Sequence, residues 1–564
     1  MRIVLWLPIV IRLVLSLLTR TFFAPDEFYQ SLEPAHHAVF GYGYLTWEWV
    51  SSSPIRSFTY PALFVPFYHT LRLLRLDHTY ALIWAPKLLH GSFAALTDIS
   101  TFLLAEKTIG PRYAFTALFL SLTSFYNVLA LSRTLSNSFE TMLTVSALCF
   151  WPLAQSSLSM YVGSAVGPWL PLTNFHPSRE LRISVVLAAF ACLMRPTNAV
   201  IWMILGINLL LSNQRMAPSI LANVVPIGLM AIATNIAIDY QYYHRLVFTP
   251  LNFMWVNLSG VSLFYGQNPW HYYLTQALPI LCGTSLPFCL LGFFQSARGT
   301  FGPEMQRLAL VAGLATATYS MTGHKEWRFL HPLLPIFLIS GSKIMVDSSH
   351  DRYHHRTDKR SLLPIRNVYK FIILSLLPVS LYVLFFHGRG QIAVMHYLRG
   401  TSPTELRSVG ILMPCHSTPW QAFLHRPELE GGRLWTLTCE PPLAHQNLTT
   451  YIHQTNYFYD DPVMYLHKFF PPDVSPDFPA TTPRPSLVGR RLPTPTDSDS
   501  WYHPWPSHLV FFDSLLRQHD ASGNVSVQHI LEDKGYKETW NSGWNGWEGD
   551  EQRRGSVRVW KWNG

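Results

Sequence analysis

The sequence predicts a polytopic α-helical membrane protein, and three observations carry that reading. Only 13% of the 564 residues are charged, while 49% are hydrophobic and 14% aromatic; soluble domains average roughly 25% charged. Apolar runs of spanning length recur along the chain, and basic residues gather in the short connections between them. A soluble chain of this length would hold several domains, and its net charge of +9 would point toward nucleic acid. With lipid solvating most of the surface, that charge sets topology instead, and no nucleic-acid partner is expected.

A span needs roughly 20 apolar residues. Runs of that kind lie at 3–23, 79–105, 113–132, 137–157, 218–239, 274–297, 305–322, 329–348 and 371–388. The stretch 181–212 is too long for one helix and contains Pro196. It reads as two short helices meeting near Arg195-Pro196-Thr197-Asn198. The total is about eleven transmembrane helices. The first run is interrupted by Arg12, followed by Arg20, and lacks a small-x-small cleavage site, so it reads as a retained helix rather than a signal peptide.

Orientation follows from charge. The most basic loop, 349–370, carries Arg352, Arg356, Lys359, Arg360, Arg366 and Lys370, which places it in the cytosol. Counting spans backward puts Lys107, Arg112, Arg179, Arg182, Arg215, Arg298, Arg307 and the N-terminus on that side. Residues 24–78 then form a large first lumenal loop with interfacial helices, closing a transmembrane domain over 1–388. Residues 389–564 form a lumenal C-terminal region expected to be of α/β type. Two glycosylation sequons there, Asn447 and Asn524, and a third at Asn257 in the lumenal loop 240–273, agree with the charge pattern. Cys149, Cys192, Cys282 and Cys289 lie in apolar segments and read as buried thiols. Cys415 and Cys439 are the candidate disulfide pair, which needs an oxidising compartment. No CxxC or His-rich spacing points to a metal site. Residues 470–505, rich in Pro, Ser, Thr and Asp, read as a flexible insertion.

Two polar clusters at the edges of spans could carry chemistry. Asp26 and Glu27 directly follow the first span, at a depth where unpaired carboxylates are costly. They suit catalysis, and equally the first turn of an amphipathic helix behind Pro25. Tyr29, Gln30, Trp47 and Glu48 follow in an aromatic-rich stretch that fits both interfacial anchoring and sugar stacking. The second cluster is His324-Lys325-Glu326-Trp327-Arg328-Phe329. Its cations can hold a phosphate, Arg328 bidentately and Lys325 as a point charge. An ordinary charged turn, with Glu326 pairing Lys325 or Arg328, is the other reading. Arg195 places a cation at a helix break, where irregular backbone is tolerated only near protein or water. Gln267 and Asn268 offer amides suited to hydroxyl-rich ligands, or belong to an aromatic belt. The span count puts these clusters on the lumenal side. The chain has no Walker loop, no G-x-G-x-x-G and no DxD-like pair in a soluble nucleotide domain, so a nucleotide-sugar donor is not expected. No internal repeat of the inverted-repeat transporter kind is present.

Asp26-Glu27 in the first loop, with His324-Lys325-Glu326-x-Arg328-Phe329 far downstream, resembles the dolichyl-phosphate-mannose-dependent α-mannosyltransferases of glycosyltransferase family 22. These are multi-span enzymes of the endoplasmic reticulum membrane with the GT-C fold. The stretch from Pro25 to Trp49 is similar to the members that add the third mannose of the GPI anchor core. So are Leu193-Met194-Arg195-Pro196-Thr197-Asn198, the segment Met413-Pro414-Cys415-His416-Ser417-Thr418-Pro419-Trp420, and Tyr457-Phe458-Tyr459-Asp460-Asp461-Pro462. The resemblance implies dolichyl-phosphate mannose as donor, a two-mannose GPI glycolipid as acceptor, an α1,2 linkage, and inversion at the anomeric centre. It implies Asp26 as general base, with Glu27 as its orienting partner or substitute. His324, Lys325 and Arg328, with Arg195, are implied at the donor phosphate. Tyr29, Gln30, Trp47, Glu48, Gln267 and Asn268 are candidates for sugar and acceptor contacts. No tightly bound cofactor and no metal ligands are expected. One departure is Ala24, where relatives often carry a polar residue, commonly His, before Pro-Asp-Glu. Competing readings are a sibling transferase for the fourth GPI mannose or the N-glycan lipid precursor, a lipid transporter or scramblase, and a non-catalytic assembly subunit. Transport would call for charges distributed through the spans, whereas here they gather at span edges.

Overall fold

The computed structural model describes residues 2–153, 179–258, 260–350, 362–442, 451–481, 501–520 and 523–564. The chain divides into two compact units. The first comprises Met1–Leu17, Lys87–Pro250 and Tyr265–Leu381, and the second Leu18–Pro86, Leu251–Phe264 and Tyr382–Gly564. Among the described residues, five helical stretches are long and apolar enough to cross a membrane: Ala81–Ile109, Gln214–Tyr243, Tyr273–Ala297, Trp327–His350 and Asn367–Gly400. Val4–Leu18 and Pro196–Ser212 are shorter apolar helices.

The remaining apolar runs are helical, and two of them are broken. The 113–132 run is Pro111–Thr123 and Phe125–Ala130, separated at Ser124. The 137–157 run begins as Ser136–Phe150, and its last residues lie outside the described ones. The 305–322 run is Pro303–Ser320. The long 181–212 stretch is two helices, Arg179–Met194 and Ala199–Ser212. Between them Arg195 is extended, at φ −146° and ψ 112°, because the proline that follows disfavours the helical conformation for the residue before it.

Close packing in the first unit relies on small residues and on paired polar groups. A Cβ at Gly292 would overlap the backbone of Ser340, so helices Leu286–Ala297 and Leu334–His350 approach at backbone distance. Arg12 is fully buried on the first helix. Its Nε and Nη2 donate to the Asp98 carboxylate at 2.7 and 3.1 Å, and further donors reach the carbonyls of Asn127 and Ser121 at 2.9 and 3.0 Å. Ser121 Oγ donates to Asp98 at 2.6 Å. Asn127 Oδ1 lies 3.1 Å from His331 Nε2, which extends the network to the 3₁₀ turn Trp327–Leu333. The charge that interrupts the first apolar run is thus a bonded part of the bundle.

The second unit contains a five-stranded sheet in the order β2-β1-β3-β5-β4. The strands are β1 Val409–Ile411, β2 Leu434–Thr436, β3 His508–Phe512, β4 Tyr536–Asn541 and β5 Val557–Trp562. β1 runs parallel to β2 and β3, while β5 is antiparallel to β3 and β4. Helices Gln454–Asp460, Pro462–Phe469 and Val527–Asp533 accompany it. All three are capped, by His453 Nδ1 accepting from Asn456 N–H at 3.2 Å, Asp461 accepting from Met464 N–H at 2.9 Å and Ser526 accepting from His529 N–H at 3.2 Å. Their buried core is aromatic, with Phe458, Tyr465, Phe469, Trp505, Phe511, Tyr536 and Trp560 in one cluster.

Asn257 is exposed within helix Thr249–Leu258, and Asn524 in a bend. Asn447, residues 482–500 of the expected insertion, and Arg352, Arg356, Lys359 and Arg360 of the basic loop lie outside the described residues. The near flank of that insertion is held: Phe478 is buried, and Thr481 N–H donates to the Gly432 carbonyl at 3.0 Å.

Removing one member of a buried ion pair strands the other, at about 3–5 kcal/mol. Arg12→Met and Asp98→Leu should therefore each lower the melting temperature of the purified protein sharply. The double variant should recover a substantial part of the loss. Single variants that melt with the wild type would refute a structural role for the pair.

Candidate active site

The first cluster is built within the second unit. Helical backbone starts at Pro25, whose carbonyl accepts from Phe28 N–H at 2.9 Å and Tyr29 N–H at 3.0 Å. Glu27 is buried, and its Oε1 accepts from Ala24 N–H at 3.1 Å. A carboxylate reaching back three residues to a backbone donor is the geometry of a capping box. Ala24 therefore serves Glu27 through its backbone, although its side chain offers nothing. Asp26 is half-buried. Burial, and then the charge of Glu27, raise the pKa of the nearby Tyr60 hydroxyl. A π turn, Phe28–Leu32, follows the two carboxylates, a geometry frequent at functional sites.

The neighbouring candidates are already bonded. Tyr29 and Trp47 are buried. The Tyr29 hydroxyl donates to the Thr418 carbonyl at 3.0 Å, and Trp49 Nε1 donates to the Tyr29 carbonyl at 3.0 Å. Gln30 Nε2 donates to Glu48 at 3.2 Å, and Glu48 also accepts from Arg56 at 2.7 Å. The His416 ring lies 4.6 Å from that of Tyr29. Cys415 and Cys439 form a disulfide. With His416 their ligand atoms fall within 4.8 Å of one another, but oxidised sulfurs have no thiolate to offer a cation.

Glu33 is the residue in this cluster that sequence reasoning passed over. It is completely buried. Its carboxylate accepts from Tyr44 N–H at 3.0 Å, Gln421 N–H at 3.1 Å and Ala422 N–H at 2.8 Å. Burial pushes its pKa up to about 8 against the lowering effect of those three donors. Two of the donors lie 388 and 389 residues downstream, so no local pattern announces the contact. Glu33 ties the helix Glu33–Phe40 to the turn that follows the Met413–Trp420 segment.

The second cluster lies within the first unit, where the 323–328 turn meets the 266–268 turn. His324 Nδ1 is 3.0 Å from the Gly266 carbonyl, and Nε2 is 3.2 Å from Glu326 Oε1. Arg328 Nη2 donates to Glu326 at 2.8 Å. Lys325 is buried; its ammonium donates to the carbonyls of Asn268, at 2.8 Å, and Thr322. Asn268 returns a bond from Nδ2 to the Lys325 carbonyl at 2.8 Å. Gln267 is exposed. Burial pushes the Glu326 carboxyl upward, but Arg328 and then His324 hold it well below the usual carboxylate range. The Glu326 bond in turn raises the His324 imidazole above its ordinary value, against partial burial.

Arg195 joins this cluster in the same unit. Its guanidinium sits 4.9 Å over the Phe329 ring. It faces Glu140 at 3.7 Å and Asn137 Oδ1 at 3.3 Å. Asn198 Nδ2 donates to Glu140 at 2.8 Å, and Trp202 Nε1 donates to Asn198 Oδ1 at 2.7 Å. The extended residue at the helix break is thereby clamped beside the His324–Phe329 motif. Glu140, unremarked in the sequence because it falls inside an apolar run, supplies the countercharge. Three basic side chains, Arg195, Lys325 and Arg328, stand in this cluster with two carboxylates, Glu140 and Glu326. That leaves a net positive charge.

The structure is similar to that of ArnT from Cupriavidus metallidurans bound to undecaprenyl phosphate, with a TM-score of 0.52 and 12% identity over 99% of this chain and 97% of that one. That likeness shows the fold, the GT-C arrangement of helices. The sequence is 35% identical to GPI mannosyltransferase 3 of Yarrowia lipolytica, covering 97% of this chain and 94% of the relative. It is 33% identical to GPI alpha-1,2-mannosyltransferase 3 of Mus musculus, over 82% of this chain and 78% of that one. The Alg9-like mannosyltransferase family matches residues 3–425, and this chain belongs to that family.

Proposed function

We propose that this chain transfers the third mannose of the GPI anchor, α1,2-linked, from dolichyl-phosphate mannose to a two-mannose GPI intermediate. The observation that carries the proposal is likeness over nearly the full chain to enzymes named for that step. In this reading residues 1–388 are the transmembrane catalytic domain, with about eleven spans by length, and 389–564 the lumenal region. The N-terminus is cytosolic, the chemistry lumenal in the endoplasmic reticulum, and Asn257, Asn447 and Asn524 are glycan acceptors.

The reaction inverts the anomeric centre. Asp26 takes the proton of the acceptor hydroxyl as its oxygen bonds to the anomeric carbon, and the bond to the donor phosphate breaks. Glu27, bonded to Ala24 N–H, orients the turn that presents Asp26. Dolichyl phosphate leaves as an anion and needs positive contacts more than an acid. Arg328 and Arg195 supply directed donors, Lys325 a point charge, and His324 a further donor when protonated. Gln30, Glu48, Gln267 and Asn268 contact sugar hydroxyls, with Tyr29 and Trp47 packing behind the first pair.

Cells lacking the third-mannose activity test the reading. The wild-type chain should restore GPI-anchored surface proteins, and its absence should leave a two-mannose GPI glycolipid. Accumulation of a three-mannose species instead would reassign the chain to the next step. A positioned base contributes about 10²–10⁴-fold, so Asp26→Asn should lower transfer at least about 100-fold with expression intact. Normal rescue by Asp26→Asn together with Glu27→Gln would refute the catalytic assignment.

The donor site predicts a pH dependence. The His324 imidazolium is present below its raised value and lost as pH climbs through it, on the alkaline side of 6.5. The KM for donor should rise over that interval, and His324→Asn should flatten the rise. A wild-type KM constant across the interval would remove His324 from the phosphate contacts.

A further inference from the structure

The second unit displays two indole rings that neither chemistry nor core packing explains. They belong to the loop Ser542-Gly543-Trp544-Asn545-Gly546-Trp547-Glu548-Gly549 between β4 and β5. Trp544 is 58% and Trp547 78% exposed. The backbone carrying them is firmly held. Asn545 is buried; its carbonyl accepts from Gly388 N–H at 3.0 Å, its Oδ1 from Gly390 N–H at 2.5 Å, and its Nδ2 donates to Gln391 at 3.1 Å. Trp547 N–H donates to the Tyr382 hydroxyl at 3.0 Å. Gly546, at φ +98°, lies so close that a Cβ there would sit 2.8 Å from His387 Nδ1 and 3.0 Å from the Tyr382 oxygen. The loop is therefore built to sit on residues 382–391.

Those residues end an apolar helix. Leu377–Phe385 lies within the stretch Asn367–Gly400, which is long and apolar enough to cross a membrane. Tyr382 packs at a tilt against both indoles, with centroids 5.7 Å from Trp544 and 5.3 Å from Trp547. Phe386 follows with 48% of its surface exposed. Arg389, exposed, comes next. Tyr and Trp at the end of a spanning helix, with a cation beyond, is the pattern that seats a protein at the headgroup level of a bilayer. Held rigidly, the indoles meet lipid without losing conformational freedom, and their rings suit a layer that is apolar on one side and wet on the other.

We propose that the 542–549 loop inserts Trp544 and Trp547 into the phospholipid headgroup region where Leu377–Phe385 ends, with Arg389 facing lipid phosphate. The β4–β5 pair of the C-terminal region is thereby seated on the membrane surface by two indoles as well as by the chain connection at residue 388.

Hydroxyl-radical footprinting of the full chain, one copy per phosphatidylcholine nanodisc, tests this directly. Trp544 and Trp547 should be oxidised several-fold less than their exposed area requires, relative to Tyr502 in the same molecule. Oxidation in proportion to exposed area would overturn the proposal. So would protection that appears only in discs holding two copies, since a second copy would then be the cover. A second measurement uses vesicles of phospholipid brominated near the carbonyl end or deep in the chain. Trp544→Phe with Trp547→Phe should remove fluorescence that shallow bromine quenches and deep bromine does not. Equal quenching of variant and wild type by the shallow probe would contradict the insertion.

Discussion

The pairing of Arg12 with Asp98 sets the terms for the helical unit. A guanidinium with no exposed surface survives in an apolar bundle only if its charge is answered and its donors find acceptors. Asp98 answers the charge, and the Asn127 and Ser121 carbonyls take two further donors. Asn127 then carries the network to His331, a few residues beyond the His324–Phe329 motif. The helix that opens the chain and the turn that bears its cations are consequently fastened to one polar core.

The same constraint shapes the donor cluster. Arg195 is usable as a cation because Glu140, Asn137 and Asn198 hold it at the helix break. Arg328 is oriented by Glu326, which also draws the His324 proton affinity upward. A charged turn and the proposed phosphate site are therefore compatible. In the proposed reading the internal ion pairs pre-set the directions of the donors that meet the leaving phosphate. In the second unit, Glu33 plays the corresponding part with three backbone N–H groups in place of a cation. It fastens the segment that follows Asp26 and Glu27 to Gln421 and Ala422, which lie between the two cysteines of the disulfide.

What could be read from the sequence divides along physical lines. Pro196 disfavours helical backbone at the residue before it, and 181–212 is too long for one span, so the two-helix reading needed no tertiary information. The Asp26-Glu27 and His324–Phe329 clusters were visible because ionised groups beside apolar runs are conspicuous. Their partners were not. Glu140 sits alone in an apolar run, Asp98 is 86 residues from Arg12, and Glu33 meets donors nearly 400 residues away. Nothing local distinguishes such a residue from an isolated polar one. Tyr29 was legible only as an aromatic suited to the membrane interface or to sugar stacking, and its bond to the Thr418 carbonyl depends on chain contributed from far downstream. The sheet was hidden for another reason: β1 and β2 are three residues each, too short for an alternating pattern to register.

The account stands on one reaction. Purified chain, dolichyl-phosphate mannose and a synthetic two-mannose GPI glycolipid, followed by linkage analysis of the product, test it most directly. The account predicts a single added mannose, α1,2-linked, and formed far more slowly by the Asp26→Asn protein. Transfer only to a three-mannose glycolipid or to an N-glycan precursor, or undiminished transfer by the variant, would contradict it.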